Sequence, residues 1–249
     1  MTATIAVLGL GEAGGTLARD LLAAGAVVRG YDPAVTATDG VLDTGSEAEA
    51  ADGADLVLSV NSASAAVDAL NAGLGTAAMW ADLNTASPGT KRRLAEIAAA
   101  QGVPFADVAI MAPVPGHGLR VPMLATGGAA VQVAGILRPF GASVEVMAGP
   151  AGLAAERKLL RSVYFKGMAA AVVEALTAAR AAGCEEWLRE IVENELTRAD
   201  ATTVERLVSG SYLHAARRTA EMAAAAEMLD ELGVPADVAR AARDHLSRL

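Results

Sequence analysis

Up to Gly149 the chain alternates short apolar runs with stretches in which apolar residues recur every three or four positions. The runs Ile5–Leu8, Ala26–Val28, Ala54–Val60, Ala77–Leu83, Val103–Met111, Met123–Thr126 and Val144–Met147 have the length of buried strands. Between them lie helical patterns: one carrying Leu17, Leu21 and Leu22, then Ala63–Asn71 with Val67 and Leu70 on one face, Pro88–Ala100, and Ala129–Leu137. Ser87 before Pro88 suits an N-cap followed by a first-turn proline. The polar region Thr36–Gly53 predicts only a short helix over Glu47–Ala51. Strands alternating with helices in this way predict right-handed crossovers and a doubly wound parallel α/β sheet.

At Gly149-Pro150-Ala151-Gly152 the strand signal stops. Leu153–Ala182 reads as one helix of about 45 Å at 1.5 Å per residue, with Gly183 as its C-terminal stop. Helices over Glu185–Leu196, Thr202–Val208, Tyr212–Leu232 and Pro235–Leu249 follow. The expected division is a sheet domain over 1–150 and an all-helical domain over 151–249.

The first turn carries the most specific chemistry. Gly9, Gly11 and Gly14 follow a strand in the order G-x-G-x-x-G and open a helix, and a second strand then leads to Asp32. This context marks a dinucleotide-binding Rossmann unit. Gly9 permits the tight turn, Gly11 the close approach of a pyrophosphate, and Gly14 helix–strand packing. The backbone of Gly9, Leu10, Gly11, Glu12, Ala13 and Gly14 then faces the phosphates at a helix N-terminus. Val60 and Asn61 end another strand of the same sheet. Asp32 suits a free 2′-hydroxyl and repels a 2′-phosphate, and Pro33 stands where an arginine would favour the phosphorylated cofactor. NAD is therefore expected ahead of NADP.

Composition narrows the class. A net charge of −9 over 249 residues argues against nucleic acid or an anionic membrane as partner. The lone Cys184 makes no internal disulfide, and no Cys/His cluster offers a metal site. No leader or spanning segment is evident, so a soluble cytoplasmic protein is expected. Aromatic residues are scarce at 3%, while 53% of residues are hydrophobic, chiefly alanine. A small helical domain of that composition predicts a homodimer that covers its apolar surface.

Only Lys91, Lys158 and Lys166 interrupt an otherwise exclusive use of arginine. A lysine held against that habit suits a titratable amine, which arginine does not provide. Lys158 and Lys166, eight residues apart, share a helix face; ordinary surface lysines are the alternative.

Several segments, in order, resemble the β-hydroxyacid dehydrogenases and their phosphogluconate dehydrogenase relatives, especially short members with a distinctive helical C-terminal domain. These are Gly9-Leu10-Gly11, Asp82-Leu83-Asn84-Thr85-Ala86-Ser87-Pro88, the stretch Phe105–Leu119, and Lys158 followed by Lys166-Gly167. The resemblance implies hydride transfer between nicotinamide C4 and the carbinol carbon of a small hydroxy acid, with Lys158 as general acid/base. It places Asn84, Thr85 and Ser87 in the cleft at the carboxyl edge of the sheet, with Ser87 equally suited to capping a helix, and it brings Val60 and Asn61 to the adenosine or nicotinamide ribose of the cofactor.

The chain also departs from the family. Where the family has a serine and two glycines, this chain has Met111-Ala112-Pro113, followed by His117 in a loop expected to border the cleft. Where the family has asparagine after its lysine, this chain has Arg161 and Ser162. Met111, Pro113, His117, Arg161 and Lys166 are therefore candidate substrate contacts, for a small anionic or polar organic molecule. His214, with Arg217, Arg218 and Glu221, forms either a patch reaching a partner subunit or a solvated helix face. The same scaffold also serves imine reductases, and loss of the serine–glycine–glycine segment keeps open a non-catalytic cofactor-binding sensor.

Overall fold

A computed structural model describes residues 2–249. They form two compact units, one running to Arg161 and the other over Ser162–Leu249.

The first unit is built on an eight-stranded sheet: β1 (Thr4–Leu8), β2 (Val27–Tyr31), β3 (Leu42–Asp43), β4 (Leu56–Ser59), β5 (Trp80–Asp82), β6 (Phe105–Ile110), β7 (Met123–Thr126) and β8 (Val144–Val146). The spatial order is β3-β2-β1-β4-β5-β6-β7-β8. Helices α1 (Glu12–Ala23), α2 (Glu47–Ala51), α3 (Ala66–Gly73), α4 (Pro88–Ala100) and α5 (Ala130–Leu137) supply the connections.

Two apolar layers cover the two faces, because successive side chains of a strand point to opposite sides. Ile5, Val7, Leu58 and Val108 pack with Leu17 and Leu21 of α1 and Val133 and Leu137 of α5. Leu8, Val57, Trp80 and Phe105 pack on the other face with Leu70 of α3 and Leu94 of α4. Both faces are covered, so the central strands read as continuous apolar runs rather than alternating ones.

The sheet differs from the all-parallel expectation at one junction. β6 and β7 are antiparallel, with Asp107 opposite Thr126 and Ile110 opposite Met123, and β8 runs parallel to β7. Residues 111–122 between them hold only a single helical turn, Gly118–Arg120, too little for the crossover that a parallel pair requires. The two-residue β3 lies within the region expected to be irregular, where Arg29 and Gly30 pair with Leu42 and Asp43.

The helix α6 (Leu153–Ala181) begins in the first unit and continues into the second. There it is followed by α7 (Glu185–Arg198), α8 (Ala201–Leu213), α9 (Ala215–Glu231) and α10 (Asp237–Leu246). Gly183 takes the positive φ of 75° that a helix stop requires. The break expected before Tyr212 falls instead at His214, whose backbone leaves helical geometry and caps α8 and α9 at once. Among the described residues, no helix is long and apolar enough to cross a membrane.

The second unit has a small interior of its own: Ala178, Ala226, Leu229, Val234, Ala236 and Ala239. Glu174 anchors the start of α10, accepting from the N–H groups of Val238 and Ala239 at 2.7 and 2.8 Å. Neither α7 nor α8 buries a single residue. Trp187, Leu207, Val208, Tyr212 and Leu213 are all more than half exposed.

Candidate active site

The three glycines of the first turn have three different geometries. Gly9 sits at φ 92°, and a Cβ there would stand 2.6 Å from the Val60 carbonyl oxygen. Gly14 leaves no room either, since its Cβ would lie 1.9 Å from the Gly9 oxygen. Around Gly11, by contrast, a Cβ would meet nothing within 4 Å. Two glycines are thus required by packing, and the middle one opens a space beside the helix start. No side chain caps α1 at Gly11, so its first-turn N–H groups face that opening. The Glu12 carboxylate at the same end is exposed, so the attraction for an anion comes from the backbone.

Asp32 is tied down on both oxygens. Its Oδ2 accepts from Leu10 N–H at 2.8 Å, and Oδ1 from Ala34 and Val35 N–H at 2.8 and 3.1 Å. The carboxylate thereby joins the glycine turn to the end of β2. Arg29 turns away, donating to the Asp52 carbonyl. The close approach of Gly9 to Val60 and Asn61 brings the expected cofactor-binding residues together at the carboxyl edge of β1, β2 and β4.

From Asn61 a chain of side-chain hydrogen bonds runs across the sheet edge. Asn61 Nδ2 and Asn84 Nδ2 both donate to Ser59 Oγ, at 3.2 and 3.0 Å. Asn84 Nδ2 also donates to Asp82 Oδ2 at 2.7 Å. Only the amide nitrogen can face a carboxylate, so the network fixes which way the asparagine is turned. Asn84 Oδ1 is buried and accepts nothing among the described residues.

Beyond Asn84 lies a buried ionic cluster. Lys91 of α4 is 0% exposed; its Nζ contacts Asp82 Oδ1 at 2.5 Å, the Asp82 carbonyl at 2.8 Å and Asp107 Oδ1 at 3.1 Å. Asp107 Oδ2 accepts from Gly152 and Ala155 N–H, each at 3.0 Å. Thr126 Oγ1, directly across the β6–β7 ladder, accepts from Ala154 N–H at 3.2 Å. Two buried side chains from neighbouring strands therefore cap α6, and their carboxylate suits the positive end of the helix. Removing one partner from a buried ion pair typically costs about 3–5 kcal/mol, because the other charge is left uncompensated.

Lys158 stands three residues beyond Ala155, half-buried and still inside the first unit. The remaining candidates belong to several different elements. Ser87 Oγ accepts from Thr90 N–H at 3.1 Å and so caps α4, while Thr85 is exposed at the sheet edge. Met111 and Pro113 follow β6, where Met111 N–H donates to the Pro122 carbonyl. Arg161 and Lys166 are exposed further along α6.

His117 is not brought to the cofactor turn. It lines a depression with Asp20, Ala23 and Ala24 of the last turns of α1, about 12 Å along that helix from Glu12 at 1.5 Å per residue. The loop is held there because Leu119 N–H donates to Asp20 Oδ2 at 2.7 Å. Lys91 was legible only as an unusual lysine. A stronger signal was its place on the face of α4 that carries Leu94 and Ala98, where a charge must find a buried partner.

A glycine turn with an open middle position, an anchored aspartate and a sheet edge lined by amides define a dinucleotide-binding protein of the Rossmann class. Residues 4–147 match the NAD binding domain of 6-phosphogluconate dehydrogenase, and the chain belongs to that family. Residues 179–249 match a domain of unknown function, DUF1932. An uncharacterized 28.5 kDa protein of Methanothermus fervidus is 30% identical over 169 residues, 68% of this chain. The 3-hydroxyisobutyrate dehydrogenase of Pseudomonas aeruginosa is 28% identical over 187 residues, 69% of this chain. The chain spans 65% and 62% of the length of these two relatives. The solved reductive aminase of Aspergillus terreus in complex with NADPH and ethyl-5-oxohexanoate shares the fold, with a TM-score of 0.79 at 21% identity. That alignment covers 100% of this chain and 93% of the aminase.

Proposed function

We propose that this protein is an NAD(P)-dependent oxidoreductase that interconverts a small hydroxy acid and the matching oxo compound. The observation that carries the reading is the glycine turn, closed by packing at Gly9 and Gly14 and open at Gly11, beside an aspartate already oriented by three backbone N–H groups. The first-turn N–H groups of α1 hold a pyrophosphate, and Asp32 receives the adenosine ribose. When bound, the nicotinamide supplies or accepts the hydride.

Lys158 takes the hydroxyl proton during oxidation and returns it during reduction. Asn84 Oδ1, a buried acceptor with no partner among the described residues, offers its free lone pairs to a donor at the sheet edge. Asp32 favours NAD through the free 2′-hydroxyl. Imine reduction is the second reading, favoured by the full-length fold likeness to the reductive aminase. The protein acts as a homodimer through its helical domain, since α7 and α8 bury nothing on their own.

The test pairs binding with turnover. Fluorescence titration should show NADH bound more tightly than NADPH, with NADH weakened about tenfold or more in Asp32→Ala, as loss of charge-assisted hydrogen bonds predicts. Lys158→Met should retain NADH binding and lose about 100-fold or more in reduction of oxo acids, within the range of about 10²–10⁴ for a general acid. Turnover only with ketone plus amine would replace the hydroxy-acid reading by imine reduction. Failure to bind either cofactor would remove both.

A further inference from the structure

We infer that Lys91 is a positioning residue: its buried clamp on Asp82 and Asp107 sets both the Asn84 amide at the sheet edge and the first turn of α6, which leads to Lys158. The importance of that turn to turnover rests on the hydride-transfer reading above; the clamp itself does not.

The geometry connects two places that chemistry needs held together. On one side, Lys91 fixes Asp82 through both its carbonyl and Oδ1, leaving Oδ2 to take the Asn84 amide. On the other, Lys91 faces Oδ1 of Asp107 while Oδ2 holds the N–H groups of Gly152 and Ala155. One ammonium thus divides its contacts between two carboxylates, and each carboxylate passes the constraint to a different element. Gly152 adds a steric stop, since a Cβ there would lie 2.7 Å from the Pro88 carbonyl at the start of α4. The helix bearing Lys91 and the helix bearing Lys158 therefore abut where the clamp acts.

Nothing in the cluster is exposed enough to bind substrate, as Lys91, Asp82 and Asp107 are each 0% accessible. Its influence must pass through neighbours. Ser59 Oγ, shared by Asn84 and Asn61, extends the same chain of contacts to the residues beside Gly9. The Asn84 amide and the α6 start are thereby referenced to one interior charge group. Displacement of a reacting group by about 1 Å costs on the order of 100-fold in rate, so such a reference is worth having.

The experiment compares the wild type with Lys91→Met and with the charge-balanced pair Lys91→Met/Asp82→Asn, which removes one charge of each sign and leaves Asp107 with only the N–H groups of Gly152 and Ala155. Hydrogen exchange at Gly152 and Ala155 and NADH titration are read alongside steady-state kinetics. The expected result is exchange at both amides about tenfold or more faster in the folded charge-balanced variant, NADH affinity within about threefold of wild type, and kcat reduced about 100-fold. Unchanged exchange at Gly152 and Ala155 overturns the clamp, as does wild-type kcat in a variant with loosened amides. Should wild type turn over no oxo acid or imine, the hydride-transfer reading fails while the exchange comparison still decides whether the clamp exists.

Discussion

The two units treat charge and apolar surface in opposite ways. The first seals an ammonium and two carboxylates in its interior, each in contact with several partners, and leaves few large apolar side chains outside. The second keeps all its ion pairs on the surface and exposes Trp187 at 63%, Tyr212 at 64% and Leu213 at 77%. A sheet covered on both faces completes its own interior. Helices joined by short turns, with two of them burying no residue, do not. The first unit thus holds its polar network in a closed interior, while the second leaves apolar helix faces exposed, and the dimer proposal rests on those faces.

The first unit breaks most readily at its tightest point. Gly14→Ala places a methyl group where the Gly9 oxygen already stands, so the turn must open. Overpacking of this kind costs about 1–3 kcal/mol, and NADH affinity should fall by about 100-fold or to nothing in the same titration. Near-native affinity would show that the glycine turn does not hold the cofactor.

Next comes the second unit. Leu207→Glu puts a charge on the apolar face of α8, which a monomer should tolerate and a dimer should not. Light scattering should report half the wild-type mass, and the dependence of Tm on protein concentration should vanish. A wild type already monomeric would end the dimer proposal.

The smallest effect belongs to a surface pair. The hydrogen bond from Arg180 is the main cause that holds the Glu185 carboxyl down at about 2 from its ordinary 4.5. A depressed carboxyl contributes stability that is complete above 4.5 and lost as pH falls towards 2. Glu185→Gln should slightly flatten the acid limb of a helicity-against-pH curve, and solvent screening keeps that change small. An unchanged acid limb would mean the staple between α6 and α7 contributes nothing measurable.

Much of this contrast is visible in the chain before it folds. Short apolar runs separate the strand–helix alternation from the helical tail, because run length and a period of 3.6 are both local properties. Gly9, Gly11, Gly14 and Asp32 are equally legible, since a short βαβ unit fixes their neighbours. Lys91 is not, because its partners come from strands 9 and 16 residues away in the chain, and spacing does not reveal which lysine the fold will bury. The antiparallel turn-back at β6–β7 was hidden for a similar reason. An apolar run states that a strand is buried, not which way it runs, and the short connection over residues 111–122 was the only local hint. The place of His117 is likewise set by a long-range contact, since Asp20 draws its loop towards the far end of α1.

The cap on α6 ties the order of folding to the sheet. Its first-turn amides are satisfied by Asp107 and Thr126, which come to face one another only when β6 and β7 have paired. The longest helix of the chain therefore cannot secure its beginning from its own residues, although most of its length is rich in good helix formers. Nucleation of that end waits for a non-local strand pairing, the slow kind of event in folding. In a refolding experiment the amides of Gly152 and Ala155 become protected together with the β6–β7 ladder, and not with the middle of the helix to which they are covalently joined.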